Sequence, residues 1–176
     1  SDHPMKFKIL IYMISIVCIL TIFTVHKENK VELQDGGGQI TKEMHELISS
    51  YIINKYAKAY MQTDKQFEVH KIYGTNESNG ILRVYMYSYF GGFTKGSGLK
   101  SQAGHSLPAR VELKKEETGY TVIAYTEPQD GNLYQSSLKR MFPEKYVKMA
   151  YRDIGHIEDL NKAMDAKVKQ WLESET

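Results

Sequence analysis

The stretch Ile81-Leu82-Arg83-Val84-Tyr85-Met86-Tyr87-Ser88-Tyr89-Phe90 decides the fold. Leu82, Val84 and Met86 fall on one side of an extended chain, and Arg83, Tyr85 and Tyr87 on the other, so the period is two residues. Branched and aromatic side chains dominate it, as suits a pleated surface packed against neighbours. Downstream, Leu107 to Leu113 repeats the pattern, with Leu107, Ala109, Val111 and Leu113 inward and Arg110 and Glu112 outward. Lys114 to Gly119 is a polar turn, and Tyr120 to Thr126 reads as a further strand. Upstream, Phe67 to Tyr73 alternates weakly, and Gly74-Thr75-Asn76-Glu77-Ser78-Asn79-Gly80 is turn chemistry. Connections this short join antiparallel neighbours.

Helical spacing brackets these strands. Thr41 is a predicted N-cap, and Met44, Leu47, Ile48, Tyr51, Ile52, Tyr56 and Ala59 form one apolar stripe, predicting a helix to about Met61. After the stop at Glu127-Pro128-Gln129-Asp130-Gly131, Leu133 to Met141 forms a short helix ended by Pro143. Tyr146, Val147, Met149 and Ala150 mark a second before Gly155. Leu160, Ala163, Met164, Val168 and Trp171 mark a third that belongs to the core, Lys167 interrupting the stripe with its stem along the apolar edge. The prediction is α+β: an N-terminal transmembrane helix, a helix, a four-stranded antiparallel meander sheet, and C-terminal helices packed on it, with the helices on one face.

The N-terminal segment sets the expected compartment. Residues 1–4 read as an appendage ahead of Met5; Lys6 and Lys8 then precede an unbroken apolar run from Ile9 to Val25. At about 1.5 Å per residue that run reaches the lower limit for crossing a bilayer. Its lysines lie before it, so the positive-inside bias puts the N-terminus in the cytoplasm and the rest outside. Phe23-Thr24-Val25-His26 offers no small-residue cleavage pattern, and the apolar run continues past Cys18, which argues against a lipoprotein. Residues 5–30 are read as an uncleaved signal-anchor, 31–40 (with Gly36-Gly37-Gly38) as a flexible linker, and 41–176 as one extracytoplasmic domain; the alternative is a chain secreted after cleavage. The chain carries 23 basic and 21 acidic residues, but from Val31 onward there are 19 of each, so nothing in the charge points to nucleic acid. One cysteine excludes a disulfide framework within the chain.

Motifs with chemistry are few. His45-Glu46 begins like a zinc-protease helix, but position 49 is Ser49, so the second ligand is missing and no metal site is expected. Gly91 to Ser101 resembles a phosphate loop only superficially, because Leu99 separates Gly98 from Lys100-Ser101. It reads either as a hairpin loop or as a contact loop in which Lys95, Lys100 and His105 meet an anionic group. Tyr85, Tyr87 and Tyr89 share a strand face, either covered by a helix or open as a recognition surface. No nucleophile elbow is present, so no catalytic residues and no cofactor are expected.

The string Ile123-Ala-Tyr-Thr-Glu-Pro-Gln-Asp-Gly-Asn-Leu-Tyr-Gln-Ser-Ser-Leu-Lys-Arg-Met-Phe-Pro143 resembles part of the extracytoplasmic tail of BlaR/MecR-type membrane antirepressor metallopeptidases of Gram-positive bacteria. Leu107 to Leu113 and Tyr89-Phe90-Gly91-Gly92-Phe93 are similar to further segments of that tail. Taken alone, the Pro-Gln-Asp-Gly string also reads as a strand-to-helix connection capped by Asp130. The family senses outside and cleaves inside with a His-Glu-x-x-His zinc site, which this chain lacks, so the protease activity does not carry over. The resemblance implies an outer accessory domain that binds or senses a protein or cell-wall ligand without catalysis. The alternatives are a small cell-envelope hydrolase and a purely structural envelope protein.

Overall fold

The computed structural model describes residues 39–176. The predicted span Ile9 to Val25 and most of the predicted linker lie outside the described residues; among those described, no helix is long and apolar enough to cross a membrane. Helix α1 (Lys42–Tyr56) leads into strands β1 (Lys65–Ser78), β2 (Ile81–Phe93), β3 (Ala103–Glu116) and β4 (Gly119–Thr126). Helices α2 (Tyr134–Met141), α3 (Glu144–Asp153) and α4 (Glu158–Ser174) follow. The strands pair antiparallel in chain order, so the α+β class and the meander are as the sequence predicts.

The helices do not share one face. Helix α1 packs Met44, Ile48 and Ile52 on Leu82, Val84, Met86 and Phe90 of β2 and on Ala109, Val111 and Leu113 of β3. Helices α2 to α4 close over Val69 and Tyr73 of β1 and Tyr85 and Tyr87 of β2 on the opposite face. Both sides of β2 are apolar or aromatic, so a single layer of helices would leave one side in water. Ile48 and Ile52 are fully buried, each contributing on the order of 1.5–3 kcal/mol of transfer free energy.

Local chemistry explains the boundaries. Thr41 caps α1 as predicted: the Met44 backbone N–H donates to its Oγ1 at 3.3 Å. The helix closes at Tyr56, short of Met61, and Tyr60 stacks on Phe90 with ring centroids 5.8 Å apart. The predicted turn from Gly74 to Gly80 is mostly strand; only Asn79-Gly80, both at positive φ, makes the hairpin turn. At Gly74 the ladder shifts register after Ile72, and a Cβ there would lie 1.9 Å from the Tyr146 hydroxyl oxygen, so only glycine fits. Gly91 and Gly92 belong to β2, opposite Phe67 and Gln66, and not to the loop.

On the helical side, Phe142 is extended ahead of Pro143, which separates α2 from α3. Asp130 stands at the start of a short 3-10 turn, yet its side chain makes no capping bond. Helix α4 is part of the core through Leu160, Ala163, Met164 and Val168, while Trp171 is half-buried and edge-on to Phe67, the ring centroids 6.0 Å apart. The Lys167 ammonium donates to the Glu68 backbone carbonyl at 3.1 Å, tying α4 to β1.

Candidate functional site

Strand β1 turns Glu68, His70 and Ile72 toward α1. Pairing sets His70 opposite Ser88 of β2, and the four-residue spacing of His45 and Ser49 presents both from one side of α1. The result is a buried polar chain between helix and sheet. Glu68 has no solvent exposure and its carboxylate accepts three hydrogen bonds: from Ser49 Oγ at 2.9 Å, from Ser88 Oγ at 2.5 Å and from His70 Nδ1 at 2.7 Å. His70 Nε2 in turn meets His45 Nδ1 at 2.8 Å, the two rings lying nearly parallel.

Burial pushes the Glu68 carboxyl up, but the neighbouring His70 and the hydrogen bonds of His70, Ser88 and Ser49 outweigh it and hold the group below its ordinary range. The carboxylate is therefore ionised and fixes the proton arrangement. His70 donates from Nδ1; when neutral it must accept at Nε2, which makes His45 Nδ1 the donor. A carboxylate, an oriented imidazole and a second imidazole form one hydrogen-bonded line from a sealed site to a half-buried helix face. Sequence reading singled out His45 but missed Glu68 and His70. The signal available was the weak alternation of β1, a consequence of its being covered on both faces.

The residues expected to meet a ligand do not converge. Lys95 Nζ pairs with Glu175 at 2.5 Å, and its backbone N–H donates to Asp64, so the loop is pinned to the end of α4. Lys100 stands exposed on the same loop. His105 lies beneath Tyr56 and Tyr60, with Nδ1 2.6 Å from the Tyr60 hydroxyl and its ring edge-on to Tyr56 at 4.4 Å. Burial lowers its pKa, with partial opposition from Glu127 and Glu68. Tyr56 and Tyr125 both donate to the Glu127 carboxylate beside it. Tyr85 and Tyr87 are core residues beneath the C-terminal helices, and Tyr89 is half-buried, so these three present no open tyrosine surface.

Two further features shape the other side. Lys71 bridges Asp153 at 2.7 Å and Asp159 at 2.9 Å, and Tyr73 donates to Asp153, which locks the end of α3 and the start of α4 to β1. An open groove of about 490 Å³ runs along α2 and α3, floored by Phe142, Val147 and Tyr151. Among the described residues, no group of three or more His, Cys, Asp or Glu side chains is placed to hold a metal ion. No family model matches this chain, and no curated protein or solved structure matches it.

Proposed function

We propose that this chain is a membrane-anchored, extracytoplasmic accessory domain that senses or binds a ligand and does not catalyse. The reading is carried by the buried Glu68–His70–His45 chain. Apolar residues of similar volume in such a place are often as stabilising or more so, so a satisfied polar line there suits a contact that can be made and broken. It fastens α1 to the sheet, and α1 is the first described helix after the proposed anchor from Ile9 to Val25. A change in that contact would reach the membrane segment through the shortest stretch of chain. The resemblance of residues 123–143 to the outer tail of antirepressor sensors supports the same role.

Two measurements on the full chain test it. With Cys18→Ser as background, a cysteine at Gly37 should react with an impermeant reagent on intact cells; protection until lysis would reverse the topology. Amide exchange in α1 should then slow or quicken when cell-wall fragments or a protein partner are added. The Glu68–His70 pair also favours a second reading, a small envelope hydrolase, because a carboxylate-oriented imidazole is the general-base arrangement. The two serine hydroxyls donate to the carboxylate and not to His70 Nε2, which supports the non-catalytic reading. Release of soluble fragments from purified peptidoglycan, abolished by His70→Gln, would decide for the hydrolase.

A further inference from the structure

The charge on this domain is unevenly spread. From Val31 to the end, basic and acidic residues balance at 19 each, yet between Lys139 and Arg152 there are five basic residues and one acidic. All five, Lys139, Arg140, Lys145, Lys148 and Arg152, are exposed. Lys145, Lys148 and Arg152 fall at i, i+3 and i+7, on one side of α3, and Lys139 and Lys148 both line the groove. The single acid, Glu144, is spent on Lys148 at 3.3 Å, and Asp153 is held by Lys71 and Tyr73. Lys139 has no ion-pair partner among the described residues.

Apolar side chains are exposed beside these cations. Leu133 is 49% exposed just ahead of α2, and Tyr151 and Ile154, at the end of α3, are 37% and 41% exposed. Tyr134, at the start of α2, packs against the same apolar cluster as Val147 and Ala150 of α3. Cations spread along a helical hairpin, with a tyrosine and aliphatic tips exposed at its open end beside Arg152, are a mixture that the boundary of an anionic bilayer accepts: headgroup phosphates meet the ammonium and guanidinium groups while the apolar tips enter the acyl edge. An acidic protein segment would satisfy the charges, but it would not by itself account for the exposed Leu133, Tyr151 and Ile154 on the same helical pair.

We propose that the α2–α3 face docks the domain onto an anionic phospholipid surface. The proposal rests on the anchored reading above, which keeps a bilayer within reach, and names the surface that would meet it.

The test uses the full chain with Cys18→Ser, reconstituted into phosphatidylcholine vesicles with or without phosphatidylglycerol. A fluorophore on Ile154→Cys reports contact through quenching by nitroxide-labelled lipid, and one on Glu77→Cys, in the β1–β2 hairpin, serves as the remote control. Quenching at position 154 but not at 77, only with phosphatidylglycerol and weakening with added salt, is the expected result. Lys139→Glu and Lys148→Glu should each weaken the docking equilibrium at low salt by about five-fold or more, since one basic residue near an anionic surface is worth on the order of 1 kcal/mol. Equal quenching in both lipids, or indifference to charge reversal, would overturn the proposal. So would quenching abolished by soluble polyglutamate at matched ionic strength, which would reassign the face to an acidic protein partner. Failure of the chain to float with either vesicle would overturn the anchoring reading instead; flotation without quenching overturns only the docking.

Discussion

Glu68 and His105 are two residues whose ionisation ties stability to acidity. His105 is held below its ordinary value of 6.5 by burial, so the unfolded chain takes up its proton first, and stability is lost as pH falls below that value. Glu68 is depressed below 4.5, so its contribution is complete above that value and is lost as pH falls through the folded value. The melting temperature should therefore decline in two acid stages: His105→Phe should flatten the upper one and Glu68→Gln the lower, as read by calorimetry across a pH series. His70→Ala should cost about 3–5 kcal/mol, because it strips a buried carboxylate of its imidazole partner. A cost below 1 kcal/mol in urea unfolding would mean that the polar line contributes little to holding α1.

At the scale of elements, two contacts make sharp demands. Gly74 lets the α3 residue Tyr146 lie against β1, so Gly74→Ala should destabilise strongly, while the same change on a Tyr146→Leu background should cost much less. A thermodynamic cycle with no coupling between the two positions would contradict this packing. Helix α4 should respond unevenly along its length. Leu160→Ala, at a fully buried site, falls in the range of about 2–5 kcal/mol for emptied aliphatic positions. Trp171→Ala should cost less than the roughly 3–5 kcal/mol of a buried aromatic truncation, because its ring is half-exposed at the end of the helix. Equal losses at both sites would show that the helix end is as tightly packed as its middle.

For the whole molecule, the three-layer arrangement determines what is available to partners. With α1 on one face and α2 to α4 on the other, most of β2 is covered, and among the described residues contact surfaces come from helix exteriors, loops and the β1 and β4 edges. The loop carrying Lys95 is tied to Glu175 at the C-terminal end of α4, so Lys95→Ala should loosen the terminal turn of that helix. Faster amide exchange confined to the last turn of α4 and to residues 95–97 is the expected signature. Exchange unchanged there would mean that the exposed ion pair is energetically idle, as many such pairs are.

Local chemistry was legible without a structure wherever one residue and its near neighbours sufficed. Thr41 as a cap, the alternation of β2, the break at Pro143 and the apolar stripe of α4 all depend on contacts within a few positions. The apolar run from Ile9 to Val25 is likewise a property of composition. The placement of helices on both faces was not legible, because alternation says which residues share a side and not what covers that side. Gly74 read as part of a turn because its reason, the ring of Tyr146, lies 72 positions away. Glu68 and His70 read as ordinary strand residues because polarity suggests water. Only the register that sets His70 opposite Ser88, and the packing of α1 that brings His45 and Ser49 over them, made a buried and fully bonded carboxylate stable there.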